Sequence, residues 1–247
     1  MKLLLLDIET APNVVHVWGL WQQNVAINQI LDAGYVMCWA AKWIGDDEIF
    51  FDSVQRSGSK KMLRGIHSLL EEADAVIHYN GARFDIPTLN KEFLLHGMLP
   101  PATYKQIDLL RTARAQFKFP SNKLDYVANA LKVGKKVKHA GHELWIRCLN
   151  GDKDAWEEME TYNINDVVIL EGVYRKLLPW IKNHPNHGVH NDKEEVCPSC
   201  GGSHLQRRGF SFTAMGKFQR FQCIDCGTWS RGKKTEAVKN VLAIDKN

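Results

Sequence analysis

No stretch of this chain stays apolar for long. Near its start the longest such run is the four leucines after Lys2, and acids follow at once. A membrane-spanning helix needs about 20 apolar residues and a secretory core about 7–15. The expectation is therefore a cytoplasmic protein, bacterial or a phage protein acting in its host, with no membrane partner. Internal repeats and low-complexity tracts are also absent, which argues against a repeat architecture. What remains is ordinary globular composition, 45% hydrophobic and 24% charged over 247 residues. That is enough for one large domain, or for a medium domain with a small one beside it.

Charge of either sign is missing as an excess from most of the chain. Residues 1–190 hold 22 Lys+Arg and 22 Asp+Glu, whereas residues 191–247 hold 10 and 6. A basic appendage on a neutral body points to a polyanionic partner. If four cysteines in that appendage bind Zn²⁺ as thiolates, the site itself carries about −2 and the appendage falls to roughly +2. The arrangement of its charges then matters more than their total.

Cysteines number only six, in two kinds. Cys38 in "YVMCWAA" and Cys148 in "LWIRCLN" sit in apolar surroundings and read as buried thiols. Cys197, Cys200, Cys223 and Cys226 form "CPSC" and "CIDC". Without a secretory signal, C-x₂-C repeated at this distance argues for a structural tetrahedral Zn²⁺ rather than disulfides. Gly201, Gly202 and Gly227 follow the cysteine pairs and suit tight knuckle turns. The segment between alternates bases with aromatics: Arg207, Arg208, Lys217 and Arg220 among Phe210, Phe212, Phe218 and Phe221. That pattern suits nucleic-acid contact or, failing that, a small phenylalanine core, with protein docking as the competitor.

Periodicity supplies the frame. "KLLLLDI", "GYVMCWAAKWIG", "DEIFFDSV" and "AVIHYN" read as strands. "KKMLRGIHSLLEEAD", "DIPTLNKEFLLHGM", "YKQIDLLRTARAQF", "NKLDYVANALKVG" and the long "DAWEEMETYNINDVVILEGVYRKLLPWI" read as helices. Strands early and helices between and after them predict an α/β domain with a mixed sheet. Residues 183–195 are polar and aperiodic and read as a linker, whose His184, His187 and His190, three apart, either bind metal or are simply loose linker histidines. The expected organisation is a domain over 1–182, that linker, and a zinc ribbon with a basic tail over 196–247.

Three short stretches carry the chemistry. In "LLLLDIET", Asp7 and Glu9 share one face of a strand. They either turn into solvent or hold a divalent cation, which converts carboxylate repulsion into attraction. In "IHYNGARFDIP", Asp85 follows a buried strand and a turn at Asn80-Gly81, as a helix cap or as a third ligand. In "ETYNINDVVIL", Tyr162 and Asp166 are four apart on one helix face.

In this order the three stretches resemble the exonuclease motifs of the DEDDy branch of DnaQ-like 3′–5′ exonucleases, of the small phage type, which have an RNase H-like fold. The resemblance covers roughly residues 1–180. It implies that Asp7, Glu9, Asp85 and Asp166 hold two Mg²⁺ or Mn²⁺ ions about 4 Å apart. It implies that Asp7 bridges the two ions and that Tyr162 orients a water for in-line attack on a phosphodiester. With an ordinary pKa near ~10, a tyrosine serves poorly as general base. Implied products are 5′-mononucleotides from DNA 3′ ends, single-stranded or frayed. RNA is the alternative substrate, and a silent nucleic-acid-binding or polymerase-docking protein is the alternative class. If the ribbon docks a protein rather than nucleic acid, a polymerase or other replication protein is the candidate partner. Asn80 and Trp18 are candidate strand contacts, Trp18 with Trp21 either stacking on bases or covering the sheet edge. Asp108 reads as a supporting acid.

Overall fold

The computed structural model describes residues 1–135, 137, 140–192, 195–213 and 216–235. Its strands are β1 (Leu3–Thr10), β2 (Val14–Val15), β3 (Ile30–Asp32), β4 (Val36–Trp43), β5 (Ile49–Ser53), β6 (Ala75–His78), β7 (Lys105–Asp108), β8 (Leu205–Thr213), β9 (Gly216–Cys223) and β10 (Trp229–Arg231). Its helices are α1 (Val54–Ser57), α2 (Ser59–Glu72), α3 (Asp85–Leu95), α4 (Leu109–Gln116), α5 (Leu124–Leu131), α6 (His142–Leu149), α7 (Lys153–Leu177) and α8 (His187–His190). Two compact units result, Lys2–Tyr174 and the chain from Arg175 onward.

The first unit is an α/β domain around a five-stranded mixed sheet of order β5-β4-β1-β6-β7. β4 runs antiparallel to β1, and β6 and β7 run parallel to it and to each other. The leucine run is central because it is apolar on both faces. Its even positions, Leu4, Leu6 and Ile8, pack with Trp39 of β4, Met62, Ile66 and Leu70 of α2, and Leu89 and Phe93 of α3. Its odd positions end in Asp7 and Glu9, opposite Ala40 and Cys38. That second face is covered by Leu144 and Cys148 of α6 and by Ala155, Trp156, Met159 and Tyr162 of α7. An irregularity after Glu9 ends the regular pairing with β4. Among the described residues no helix is long and apolar enough to cross a membrane.

Three features depart from expectation. "YKQIDLLRTARAQF" is not one helix, since Lys105–Asp108 form β7 and only then does α4 begin. The edge of β6 offers a parallel ladder, and Asp108 accepts from the Leu110 and Arg111 amides, stopping the strand and starting the helix. α6 is a second departure, a helix that the sequence pattern does not mark. It has eight residues and two buried positions, Leu144 and Cys148, too short for a periodic signal. Within the expected linker, the described residues include a short helix. Asn186 caps the single turn of α8, and the His184 and His187 rings stack at 5.9 Å.

The second unit contains the three-stranded antiparallel sheet β10-β9-β8. Pro179 lies against Gly227 in the same unit. The expected basic tail beyond Thr235 falls outside the described residues.

Trp39 ties the even face together. It is 4% exposed, its indole N–H donates to the Met62 carbonyl at 2.9 Å, and its ring fills the space beside Gly65. Replacing Trp39 by Ala is expected to cost about 3–5 kcal/mol of unfolding free energy in a urea titration. A loss below about 1 kcal/mol would show that this face is not the core.

Candidate metal centre

The odd face of β1 and one face of α7 converge. Asp7 and Glu9 come from the strand and Asp166 from the helix, each offering an oxygen within 4.8 Å of the others. Asp166 is 2% exposed, and Tyr162, one turn before it, is 7% exposed. The Tyr162 ring meets Trp145 of α6 edge to face, with centroids 6.1 Å apart. The four-residue spacing thus brings phenol and carboxylate to one side of the helix, as the sequence indicates.

Asp85 stands outside that triplet. It opens α3 and accepts a hydrogen bond from the Ile8 amide at 3.3 Å, which places it beside the strand residue between Asp7 and Glu9. Burial pushes its carboxyl up to about 7 and the charge of Asp108 adds to the rise, against the backbone amides that bond it.

Sequence reasoning missed Asn163. It is fully buried, its side-chain amide donates to Asp7 Oδ2 at 2.7 Å, and its Oδ1 has no partner among the described residues. The only signal in the sequence is two amides, Asn163 and Asn165, between Tyr162 and Asp166 in "YNIND", and nothing local chooses between them. The turn before Asp85 is built by groups around Asp108. Asp108 Oδ1 accepts from the Asn80 amide at 3.0 Å, which steadies Asn80 at φ +72°. The Gly81 amide donates to His78 Nδ1 at 3.0 Å, and a Cβ at Gly81 would fall 2.5 Å from that buried ring. Asn80 also lines an open cleft of about 570 Å³ with Tyr79, Arg114, Asn122 and Lys123. Trp18 and Trp21 are 99% and 84% exposed, so neither covers the sheet edge.

In the ribbon, Cys197 Sγ and Cys226 Sγ are 3.6 Å apart, Cys200 Sγ and Cys223 Sγ 3.7 Å, and all four sulfurs lie within 4.8 Å of one another. Gly201 and Gly227 take φ +74° and +81° in the knuckle turns. Alternation along β8 and β9 separates the four expected bases. Arg207 and Lys217 fall on one face of the sheet, and Arg220 lies on the other, with Arg208 bonded to Gln206 there. No metal group forms among the described linker histidines.

The RNase_H superfamily model matches residues 4–178. The chain belongs to this family. A solved structure similar to it is the family B DNA polymerase from the hyperthermophilic archaeon Pyrobaculum calidifontis, at 20% identity and a TM-score of 0.55. The likeness covers 72% of this chain but 24% of the polymerase, and at that identity it concerns the fold. No curated protein matches the sequence.

Within this RNase H-like domain the donor chemistry fits hard divalent cations. Three carboxylates converge, and beside Asp7 the buried Asn163 Oδ1 lacks a partner among the described residues, an acceptor suited to a water held by such an ion. The four sulfurs fit a different ion. A tetrahedron with bonds of ~2.3 Å has edges near ~3.8 Å, close to the separations of 3.6 and 3.7 Å.

Two outcomes follow for metal binding. Asn163→Ala should leave the fold intact yet weaken Mn²⁺ binding by about 10–100-fold in calorimetric titration, because Asp7 loses the group that orients it. Unchanged affinity would make Asn163 a packing residue. Replacing Cys197 and Cys200 by Ser should lower zinc content from one per chain to none and expose β8–β10 to protease. Retained zinc would contradict the four-sulfur site.

Proposed function

We propose that the chain is a 3′–5′ exonuclease of the DEDDy DnaQ-like subtype, releasing 5′-mononucleotides from DNA 3′ ends with the help of two Mg²⁺ or Mn²⁺ ions. The observation that supports it most is the convergence of Asp7, Glu9 and Asp166 with Tyr162 one helical turn from Asp166. Family membership supports nuclease chemistry in general. That a DNA polymerase shares the fold favours DNA and a replication setting.

The divalent ions would supply charge neutralisation at the phosphodiester and a water acidic enough to attack it. Asp7, Glu9 and Asp166 would hold them, and Asp85 would join from its place beside Ile8. Asn163 fixes one oxygen of Asp7. Tyr162, held by Trp145, would direct its hydroxyl at the attacking water and hold its orientation. Asp108 keeps the Asn80 turn in shape, so that Asn80 and the cleft beside it can take the strand behind the terminal nucleotide. Trp18 is exposed for stacking on a base. A single zinc ion would hold the ribbon together.

The test is a time course on end-labelled DNA and RNA, single- and double-stranded, with Mg²⁺ or Mn²⁺. The expected result is a ladder shortening from the 3′ end, with 5′-mononucleotides released from DNA faster than from RNA. Asp166→Ala should abolish it, and Tyr162→Phe should slow single turnovers by roughly ten- to a thousandfold with little change in Mn²⁺ affinity. Near-normal cleavage by Asp166→Ala, or shortening from the 5′ end, would refute the proposal. Faster RNA cleavage would make the protein an exoribonuclease.

A further inference from the structure

The strands of the ribbon carry Arg207, Arg208, Lys217, Arg220 and Arg231 and not one carboxylate. Pairing sorts these cations. Residues directly opposite in a sheet share a face. Gln206, Gln222 and Trp229 stand in one row, Arg220 faces Arg231, and Ser211 faces Phe218. The other face carries Arg207 with Phe221, Phe210 with Gln219, and Phe212 with Lys217.

On the first face each guanidinium is fixed in place. Arg220 sits 4.7 Å from the Trp229 ring centroid and donates through Nε to the Arg208 carbonyl at 3.0 Å. Arg231 lies 4.3 Å from the Phe218 centroid. Arg208 donates to Gln206 Oε1 through Nε at 3.1 Å and Nη2 at 2.7 Å. A guanidinium laid on an aromatic ring keeps its other plane for a nucleobase and its edge for phosphate oxygens. Trp229 is half exposed, and Gln206 and Gln222 add amides that accept either donors or acceptors from base edges. The second face offers one guanidinium and an ammonium 3.8 Å from the Phe210 centroid, among more exposed phenylalanine.

We propose that the face bearing Arg208, Arg220, Arg231 and Trp229 is a binding surface for single-stranded polynucleotide, with phosphates on the guanidiniums and a base on the indole. The absence of acid and the prearranged guanidinium–ring stacks select a flexible polyanion with aromatic bases. Recognition is of backbone and base planes, so it is indifferent to sequence. The surface stands on the geometry of the ribbon and does not depend on the carboxylate site being a nuclease.

The experiment uses the whole 247-residue chain, zinc-loaded, without Mg²⁺ or Mn²⁺ so that nothing is cleaved, and follows the fluorescence anisotropy of a labelled oligothymidylate of about 20 nucleotides across a salt series. The double variant Arg220→Glu/Arg231→Glu should bind at least tenfold more weakly, with a salt slope reduced by about 1.4, which is 0.7 for each phosphate contact on a single strand. Arg207→Glu/Lys217→Glu, the same charge change on the opposite face, should shift affinity less than threefold. Trp229→Ala should weaken binding about tenfold while Trp229→Phe restores it. Zinc content of one per chain in every variant verifies that the ribbon is folded. Equal losses from the two faces would mean undirected electrostatics and overturn the proposal, as would unchanged binding by the Arg220/Arg231 variant. Poly-glutamate displacing the oligonucleotide as well as unlabelled oligothymidylate does would assign the face to an acidic protein instead.

Discussion

Carboxylate repulsion at the end of the central strand is the constraint around which the first unit is built. Asp7, Glu9 and Asp166 offer oxygens within 4.8 Å of one another, and Asp166 is almost fully buried. At that distance an ionised pair repels by at least about 3.5 kcal/mol in an effective dielectric of about 20. Only a strongly packed scaffold holds such groups together. The leucines of β1, apolar on both faces, and the buried face of α7 provide it.

The supports are arranged in order of distance from the acids. Asn163 donates to Asp7 from the helix that carries Asp166, so one element sets the position of two carboxylates. Asp85 is tied to the Ile8 amide on the strand between Asp7 and Glu9. Behind it, Asp108 ends β7, starts α4 and steadies the Asn80 turn. Gly81 is needed there because the His78 ring occupies the place of a side chain. The mixed sheet is what lets parallel β6 and β7 deliver these turns to the same end of β1.

The carboxylates were legible because each lies at a change of hydrophobic pattern. Asp7 and Glu9 interrupt a leucine run, Asp85 follows a buried strand, and Tyr162 and Asp166 keep helical spacing on an apolar face. The paired C-x₂-C motifs gave the sulfur cluster for a similar reason, since spacing and knuckle glycines suffice to mark it. Less was visible where the decisive partner is distant in sequence. Asn163 has no local signature, because its role depends on Asp7, which only the fold brings near. β7 was hidden inside a helical pattern, because the edge of β6 that it fills is a tertiary feature. The four ribbon bases read as one group, and only the pairing of β8 with β9 divides them between faces.

Whether the three acids form a cation site or merely a strained cluster is decided by the unfolding midpoints of the wild type and of Asp166→Asn, dialysed with zinc retained, as Mn²⁺ is added. Without Mn²⁺ the variant should be as stable as the wild type or more so, because one repelling charge is gone. With Mn²⁺ at a hundred times its dissociation constant, the wild type should gain about 2.7 kcal/mol and its midpoint should rise by roughly 5–10 °C. The variant should gain far less. A variant that is less stable without the ion, together with equal gains for both proteins, would show that the three acids hold no cation.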